Sequence, residues 1–341
     1  VKAINNNAGL QTLYTFAAIV IIFAGIKAAS QIIVPFLLAL FLSVVLYPII
    51  RFASKHRVRP AISISLIMLV IVIGFFVVSN ILASSLNDFA RSLPASQAII
   101  LDKIRVLQEH AALLNVNFST EELMAYFDPV VLMNFISRML SSFSGMMTGI
   151  FLLMMTIFFM LLEVSFLPGK LNRIMKNPDE GMASIQSAIK GITRYVAIKT
   201  VISGVTGLIV WIFLSGLGVK FALLWAMMAF LLNYIPNIGS IIAALPPILQ
   251  SLVFNGFYDA LIVSGGFILI NIVLGNIIEP RVMGRGLGLS TLVVFLSLIF
   301  WGWLLGPIGM ILSVPLTIVI KIALENSSYG KNVAILLGDG K

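Results

Sequence analysis

Long apolar runs alternate along this chain with short charged stretches, and the runs are of membrane-crossing length. A transmembrane helix needs about 20 mostly apolar residues. Residues 12–29, 31–50, 61–86, 146–167, 200–217 and 260–278 each come close to that length. Two further regions, 221–256 and 287–325, are apolar for nearly twice it, so each predicts two spans or a broken hairpin. The pattern predicts an all-α polytopic membrane protein with about eight to ten membrane segments, some of them broken or re-entrant.

Composition agrees with the pattern. With 60% hydrophobic and only 10% charged residues, the chain has more apolar surface than one water-facing globule can hide. The first run ends in GIKAAS and resembles a cleavable leader, but the next begins at once with QIIVPFLLALF, which predicts a retained helical hairpin. There is no cysteine, which excludes a disulfide framework, thiol chemistry and Cys-based metal sites.

The net charge of +9 is explained by loops rather than by a nucleic-acid surface. Residues 51–60 carry Arg51, Lys55, Arg57 and Arg59 with no acid, and 168–199 carries Lys170, Arg173, Lys176, Lys190, Arg194 and Lys199 against Asp179 and Glu180. Basic loops favour the cytoplasmic side. Segment 87–145, with Asp88, Asp102, Glu109, Glu121, Glu122 and Asp128 against Arg91, Lys103, Arg105 and Arg138, then lies outside. Span parity between these loops agrees, and both termini are expected inside.

Within the outer segment, Ser119 with Glu122 has capping-box spacing, and Asp128–Pro129 suits an N-cap and first helical position. Two or three short helices at the membrane face are expected there. The inner segment opens at Asn177–Pro178, and Met182, Ile185, Ile189, Ile192 and Val196 follow three- and four-residue steps. That spacing predicts a one-sided helix, packed on the bilayer, on the protein's own spans or on a neighbouring subunit.

Polar chemistry is concentrated in the C-terminal half. FLLNYIPNIGSIIAA, from Phe230, matches FWGWLLGPIGMILSV, from Phe300, without gaps at Phe230/Phe300, Ile238–Gly239/Ile308–Gly309 and Ile241/Ile311. Span counting points the two tips to opposite sides, so the pair reads as an inverted repeat. Gly/Pro-interrupted segments in inverted repeats line substrate cavities of alternating-access transporters, because irregular backbone at membrane depth needs protein or water to satisfy it. Asn233, Asn237 and Ser240 are therefore candidate substrate ligands, with Pro236, Gly239 and Gly309 as gating positions. The alternative is that these residues only pack or bond neighbouring helices. A second cluster, NIVLGNIIEPRVMGRGLGLS, adds Asn271 and Asn276 as substrate candidates and Glu279 and Arg281 as coupling candidates. Glu279 is expected to pair with Arg281 or Arg285; Pro280 is expected to limit the helix, and Gly284, Gly286 and Gly288 to form a hinge.

Other chemistry is scarce. His56 and His110 fall on opposite expected faces and cannot share a metal, and Glu163 reads as an interfacial anchor. No HExxH, nucleophile elbow or ATP-binding motif occurs. Catalysis is not expected, nor is any cofactor or metal.

The runs LLNYIPNIGSIIAALPPI, GNIIEPRVMGRGLGLSTLVVFLSLIFWGWLLGPIGMILSVPLTIVIKIALE and IIVPFLLALFLSVVLYPII resemble the autoinducer-2 exporter family of bacterial inner-membrane proteins, and the likeness covers essentially the whole chain. It implies control of export, or limited net uptake, of autoinducer-2, a small polyhydroxylated quorum-sensing signal that affects biofilms. It also implies a homo-oligomer, with a pentamer as the candidate, and other branches of the family are similar to sodium or lithium/proton antiporters. Buried amides suit a neutral polyol, having donors and acceptors without charge; a cation antiporter needs a carboxylate at depth, which only Glu279 offers in the C-terminal half. A non-transporting scaffold or channel is the third reading. The domains read as N-terminal transmembrane helices (1–86), a periplasmic helical segment (87–145), a transmembrane helix with a cytoplasmic amphipathic helix (146–199), a C-terminal transport bundle (200–328) and a cytoplasmic tail (329–341).

Overall fold

A computed structural model describes residues 6–113, 149–163, 166–174, 178–236, 238–283, 288–327 and 330–338. Among them the only regular structure is helical. The helices are α1 (Asn6–Ala28), α2 (Ser30–Lys55), α3 (Pro60–Leu113), α4 (Gly149–Glu163), α5 (Leu167–Ile174) and α6 (Pro178–Gly216). They continue with α7 (Ala222–Leu232), α8 (Ile238–Phe254), α9 (Phe257–Ile270), a π-helix over Asn271–Ile278, α10 (Glu279–Met283), α11 (Thr291–Glu325) and α12 (Lys331–Leu337). α2, α3, α6, the run Phe257–Met283 and α11 are each long and apolar enough to span a bilayer, and the apolar stretches Leu13–Ala28, Gly149–Glu163, Ala222–Leu232 and Ile238–Leu252 are shorter. Their apolar side chains largely face outward: Leu66, Val70, Ile73, Phe76, Leu208 and Ile212 are all exposed. An apolar exterior of this extent is a lipid-facing surface, so the chain is a multi-pass membrane protein.

Several expected boundaries move. α1 and α2 are separated by Ala29 alone, with Ala29 N–H bonded to Gly25 and Ile33 N–H bonded to Ala29. The expected hairpin is therefore a bend, because one residue with near-helical torsions cannot reverse a chain. α3 runs 54 residues, about 80 Å at 1.5 Å per residue, against a hydrocarbon core of about 30 Å; it passes residue 86 without a break, where short surface helices were expected. The capping signals at Ser119, Glu122, Asp128 and Pro129 lie outside the described residues. α6 likewise joins the amphipathic segment and the following span into one 39-residue helix. Its expected apolar face is present, with Ile192 buried and Met182, Ile185, Ile189 and Val196 partly covered.

The chain divides into two compact units: Val1–Ile64, Leu153–Arg194 and Arg285–Lys341 form the first, and Ser65–Leu152 with Tyr195–Gly284 the second. The boundary at 284/285 falls inside the stretch expected to form one transport bundle. In the second unit Leu82, Leu86 and Phe89 of α3 pack with Val210 and Leu214 of α6, Leu224, Trp225 and Ala229 of α7, Ala243 of α8, and Val263 and Phe267 of α9. The Phe89 ring meets Phe221 and Trp225 edge-on at 5.3 and 5.4 Å, and Trp225 Nε1 donates to Gln250 Oε1, whose amide donates in turn to the Lys220 carbonyl. These contacts tie the base of the α7–α8 hairpin.

In the first unit α11 is one apolar run that folds back on itself. Gly306 has φ 71° and ψ −157°, a region open essentially only to glycine. Trp301 Nε1 donates to Thr317 Oγ1 at 3.2 Å; a straight helix would separate residues 16 apart by about 24 Å. The Lys27 ammonium of α1 lies 4.2 Å above the Trp303 ring, and Ser290 N–H donates to the Leu337 carbonyl of α12. Both double-length apolar regions are thus helical hairpins.

The two hairpins use the same device at matching positions. A Cβ on Gly239 would overlap the Leu232 carbonyl oxygen, and one on Gly309 would overlap that of Trp301. Four residues on, Ala243 and Ser313 are both fully buried. Pro246 and Pro247 do not end α8, which runs through them.

Candidate functional site

α7 ends at Leu232 and α8 restarts at Ile238, and the amides of the turn's described residues bond within it or to the end of α7. Tyr234 N–H reaches the Leu231 carbonyl, Ile235 N–H that of Leu232, Ile238 N–H that of Pro236 and Gly239 N–H that of Ile235. Asn233 is buried and donates its amide to Ser203 Oγ of α6 at 2.9 Å. Pro236 is partly covered, and Asn237 lies outside the described residues.

On the opposite wall α9 widens into eight residues of π-helix, and Glu279 N–H bonds the Leu274 carbonyl five residues back. Such wide turns are rare and concentrate at functional sites. Here the turn brings the Asn271 side-chain oxygen over Gly275, where a Cβ would lie 2.8 Å from it. Pro280, expected to limit the helix, lies instead within the continuous helical run Phe257–Met283.

These walls line a small cleft whose polar lining is Thr206, Asn233, Ser240 and Asn271, with Gly275 beside them. Its apolar lining includes Val210, Phe267 and Leu274, and among the described residues no charged side chain lines it. Three of the five substrate candidates thus converge. Asn276 does not: it is exposed and away from this lining.

The coupling candidates also change partners. Glu279 Oε1 accepts from Lys199 Nζ of α6 at 2.6 Å, with side-chain exposures of 15% and 3%. The expected partner Arg281 is exposed, and Arg285 lies outside the described residues. Lys199, counted from sequence among the basic loop residues, is a buried helical charge. Beside it Tyr234 hydroxyl donates to Thr200 Oγ1 at 2.8 Å. Tyr195, one turn before Lys199, is 4% exposed, and its hydroxyl has no hydrogen-bond partner among the described residues.

Tyr195, Lys199, Ser203 and Thr206 follow four-, four- and three-residue steps, one face of a helix. That polar stripe was the available signal for the residues missed from sequence. Elsewhere Glu163 meets Lys170 with both ends exposed, and the described residues contain no group of three metal-ligating side chains.

A family model described as AI-2E family transporter matches residues 16–328. The AI-2 transport protein TqsA of Escherichia coli K12 is 50% identical over 331 residues, covering 97% of this chain and 96% of its own. The putative transport protein YhhT of the same organism is 44% identical over 336 residues, with 98% and 96% covered. A putative transport protein of Haemophilus influenzae is also 44% identical, over 341 residues and 98% of both chains.

Proposed function

We propose that this chain, which belongs to the AI-2E family of transporters, carries autoinducer-2 across a bacterial inner membrane, using the cleft between α6, α7, α8 and the π-helix as the binding site. The observation that carries this reading is the convergence of Thr206, Asn233, Ser240 and Asn271 on a cleft whose described lining bears no charge. A neutral polyol needs that chemistry: donors and acceptors whose desolvation is repaid by hydrogen bonds, without a charge to be neutralised. The signal itself is taken from the name of the E. coli relative. Gly239 and Gly309 hold the two hairpins tightly closed, Pro236 shapes the first tip, and alternating access exposes the cleft to either side in turn. Export is the direction we infer, in a homo-oligomer.

The test is flux of autoinducer-2 into and out of liposomes containing the purified protein, beside sodium and lithium under imposed gradients. Asn233→Ala and Asn271→Ala are expected to weaken half-saturation for the signal by about two- to tenfold each, the equivalent of one hydrogen bond worth about 0.5–1.5 kcal/mol. Unchanged half-saturation in both variants removes the cleft as the binding site. A second reading, sodium or lithium/proton exchange, rests on Glu279; cation flux that exceeds signal flux and vanishes in Glu279→Gln would establish it instead.

The charge bias places both termini and the loops around Arg57 and Lys176 in the cytoplasm, with 87–145 outside. In intact spheroplasts an impermeant thiol reagent should label Ser96→Cys and spare Ser54→Cys. The reverse pattern inverts the topology.

A further inference from the structure

α6 and α7 come unusually close beside the cleft. A Cβ on Gly207 would lie 3.1 Å from the Phe230 Cβ and 3.2 Å from the Ala226 carbonyl oxygen, so glycine at that position lets the two helices approach nearly backbone to backbone. Thr200, Ser203 and Gly207 follow three- and four-residue steps, which puts them on one face of α6. A hydroxyl stands on a short stem, and small residues at a helix contact let such groups bond across it. Ser203, fully buried, accepts from the Asn233 amide at 2.9 Å, and Thr200 accepts from the Tyr234 hydroxyl at 2.8 Å. The Tyr234 ring also meets Phe230 edge-on at 5.8 Å. Two consecutive residues of the turn are thus tied to α6.

Asn233 has reason to need a tie. It is the C-cap of α7, where helical hydrogen bonding runs out and the last turn is free to fray. Thr206, by contrast, is set by its own helix, because its hydroxyl donates to the Ile202 carbonyl. A side-chain amide carries two N–H donors and a carbonyl oxygen. Asn233 gives one N–H to Ser203, which leaves the other N–H and the oxygen for a ligand in the cleft that it lines. An amide already fixed in place loses little rotamer freedom when that ligand binds.

We propose that Ser203 is a positioning residue for the substrate: it holds the Asn233 amide in the cleft wall before the substrate arrives, with Thr200 securing the turn behind it and Gly207 setting the helix spacing that both bonds need. The proposal rests on the cleft assigned above as the binding site. Ser203 is not part of the cleft lining, so it acts through Asn233. Without the bond the amide samples its other rotamers, and apparent affinity falls by the fraction of time the competent one is populated. Steps after binding are unchanged.

The test is exchange of labelled autoinducer-2 across liposomes containing the purified full-length protein, read as half-saturation and as maximal rate. Ser203→Ala should raise half-saturation about two- to tenfold, the weight of one hydrogen bond, and leave the maximal rate near the parent's. Ser203→Ala combined with Asn233→Ala should be no worse than Asn233→Ala alone, because a residue that acts through another contributes nothing once the other is gone. Tyr234→Phe, which keeps the ring and removes the bond to Thr200, should raise half-saturation in the same sense and by less. Ser264→Ala is the control, since that hydroxyl bonds the Ala260 carbonyl of its own helix, and half-saturation should not move. A general packing role for Ser203 would instead lower the maximal rate and add to the loss in Asn233→Ala. Parent-like half-saturation in Ser203→Ala beside an impaired Asn233→Ala overturns the positioning role and leaves the cleft standing, and losses that multiply in the double variant do the same. Parent-like half-saturation in Asn233→Ala removes the cleft and the role of Ser203 with it. Should Ser203→Ala fail to fold, Tyr234→Phe decides in its place: parent-like half-saturation there overturns the proposal.

Discussion

Lys199→Met should destabilise the protein by about 3–5 kcal/mol, more than removing both members of its ion pair. The single change strands the Glu279 carboxylate, itself 15% exposed, without its cation. Lys199→Met combined with Glu279→Met removes both desolvation penalties along with the attraction, and pairs replaced in this way are often neutral or slightly stabilising. Thermal unfolding of the detergent-solubilised protein, followed by loss of the monodisperse species, should rank the double variant near the parent and well above the single one. Equal midpoints for single and double variants would mean that the carboxylate finds another partner, and that the pair has no special hold on α10.

The other large effect is expected at the hairpin glycines. Gly309→Ala and Gly239→Ala each place a methyl group on a backbone carbonyl oxygen, that of Trp301 and of Leu232. A side chain could rotate aside, but a carbonyl moves only with its helix. The hairpin must therefore open, at about 3 kcal/mol or more. Gly74 is the control, because nothing lies within 4 Å of its Cβ position; Gly74→Ala should be neutral or stabilising by up to about 1 kcal/mol through helix propensity. Purified yield and unfolding midpoint for the three variants check the ranking. If all three behave alike, the close approach in both hairpins is not a constraint.

Much of this architecture could be read from residue order because the bilayer enforces it locally. A run of about 20 apolar residues crosses because every backbone group inside lipid must be bonded within the segment, and that condition involves no distant partner. The one-sided face at Met182, Ile185, Ile189, Ile192 and Val196 was legible for the same reason, since helical spacing is a property of neighbours. So were the breaks around Pro236 and Gly306, where Pro and Gly act through their own torsions. The match of Gly239 with Gly309 was visible as a repeat, and both glycines prove to meet a carbonyl oxygen.

Partner choice was not legible. Glu279 was expected to bond Arg281 or Arg285; Arg281, two residues away, points to a different side of the helix, Arg285 lies outside the described residues, and α6 brings Lys199 to the carboxylate. Lys199 itself passed for a loop charge until α6 proved to run unbroken from Pro178 to Gly216. Nothing local announces the π-helix over Asn271–Ile278, because one extra residue in a turn is repaid only by the packing it permits. The sequence by itself thus determined the solvent of this protein, where its chain can cross and where it must break. Which buried polar groups face one another, Asn233 with Ser203 and Lys199 with Glu279, was decided by tertiary structure alone, because an unpaired polar group in that interior is costly enough to select its partner from any distance along the chain.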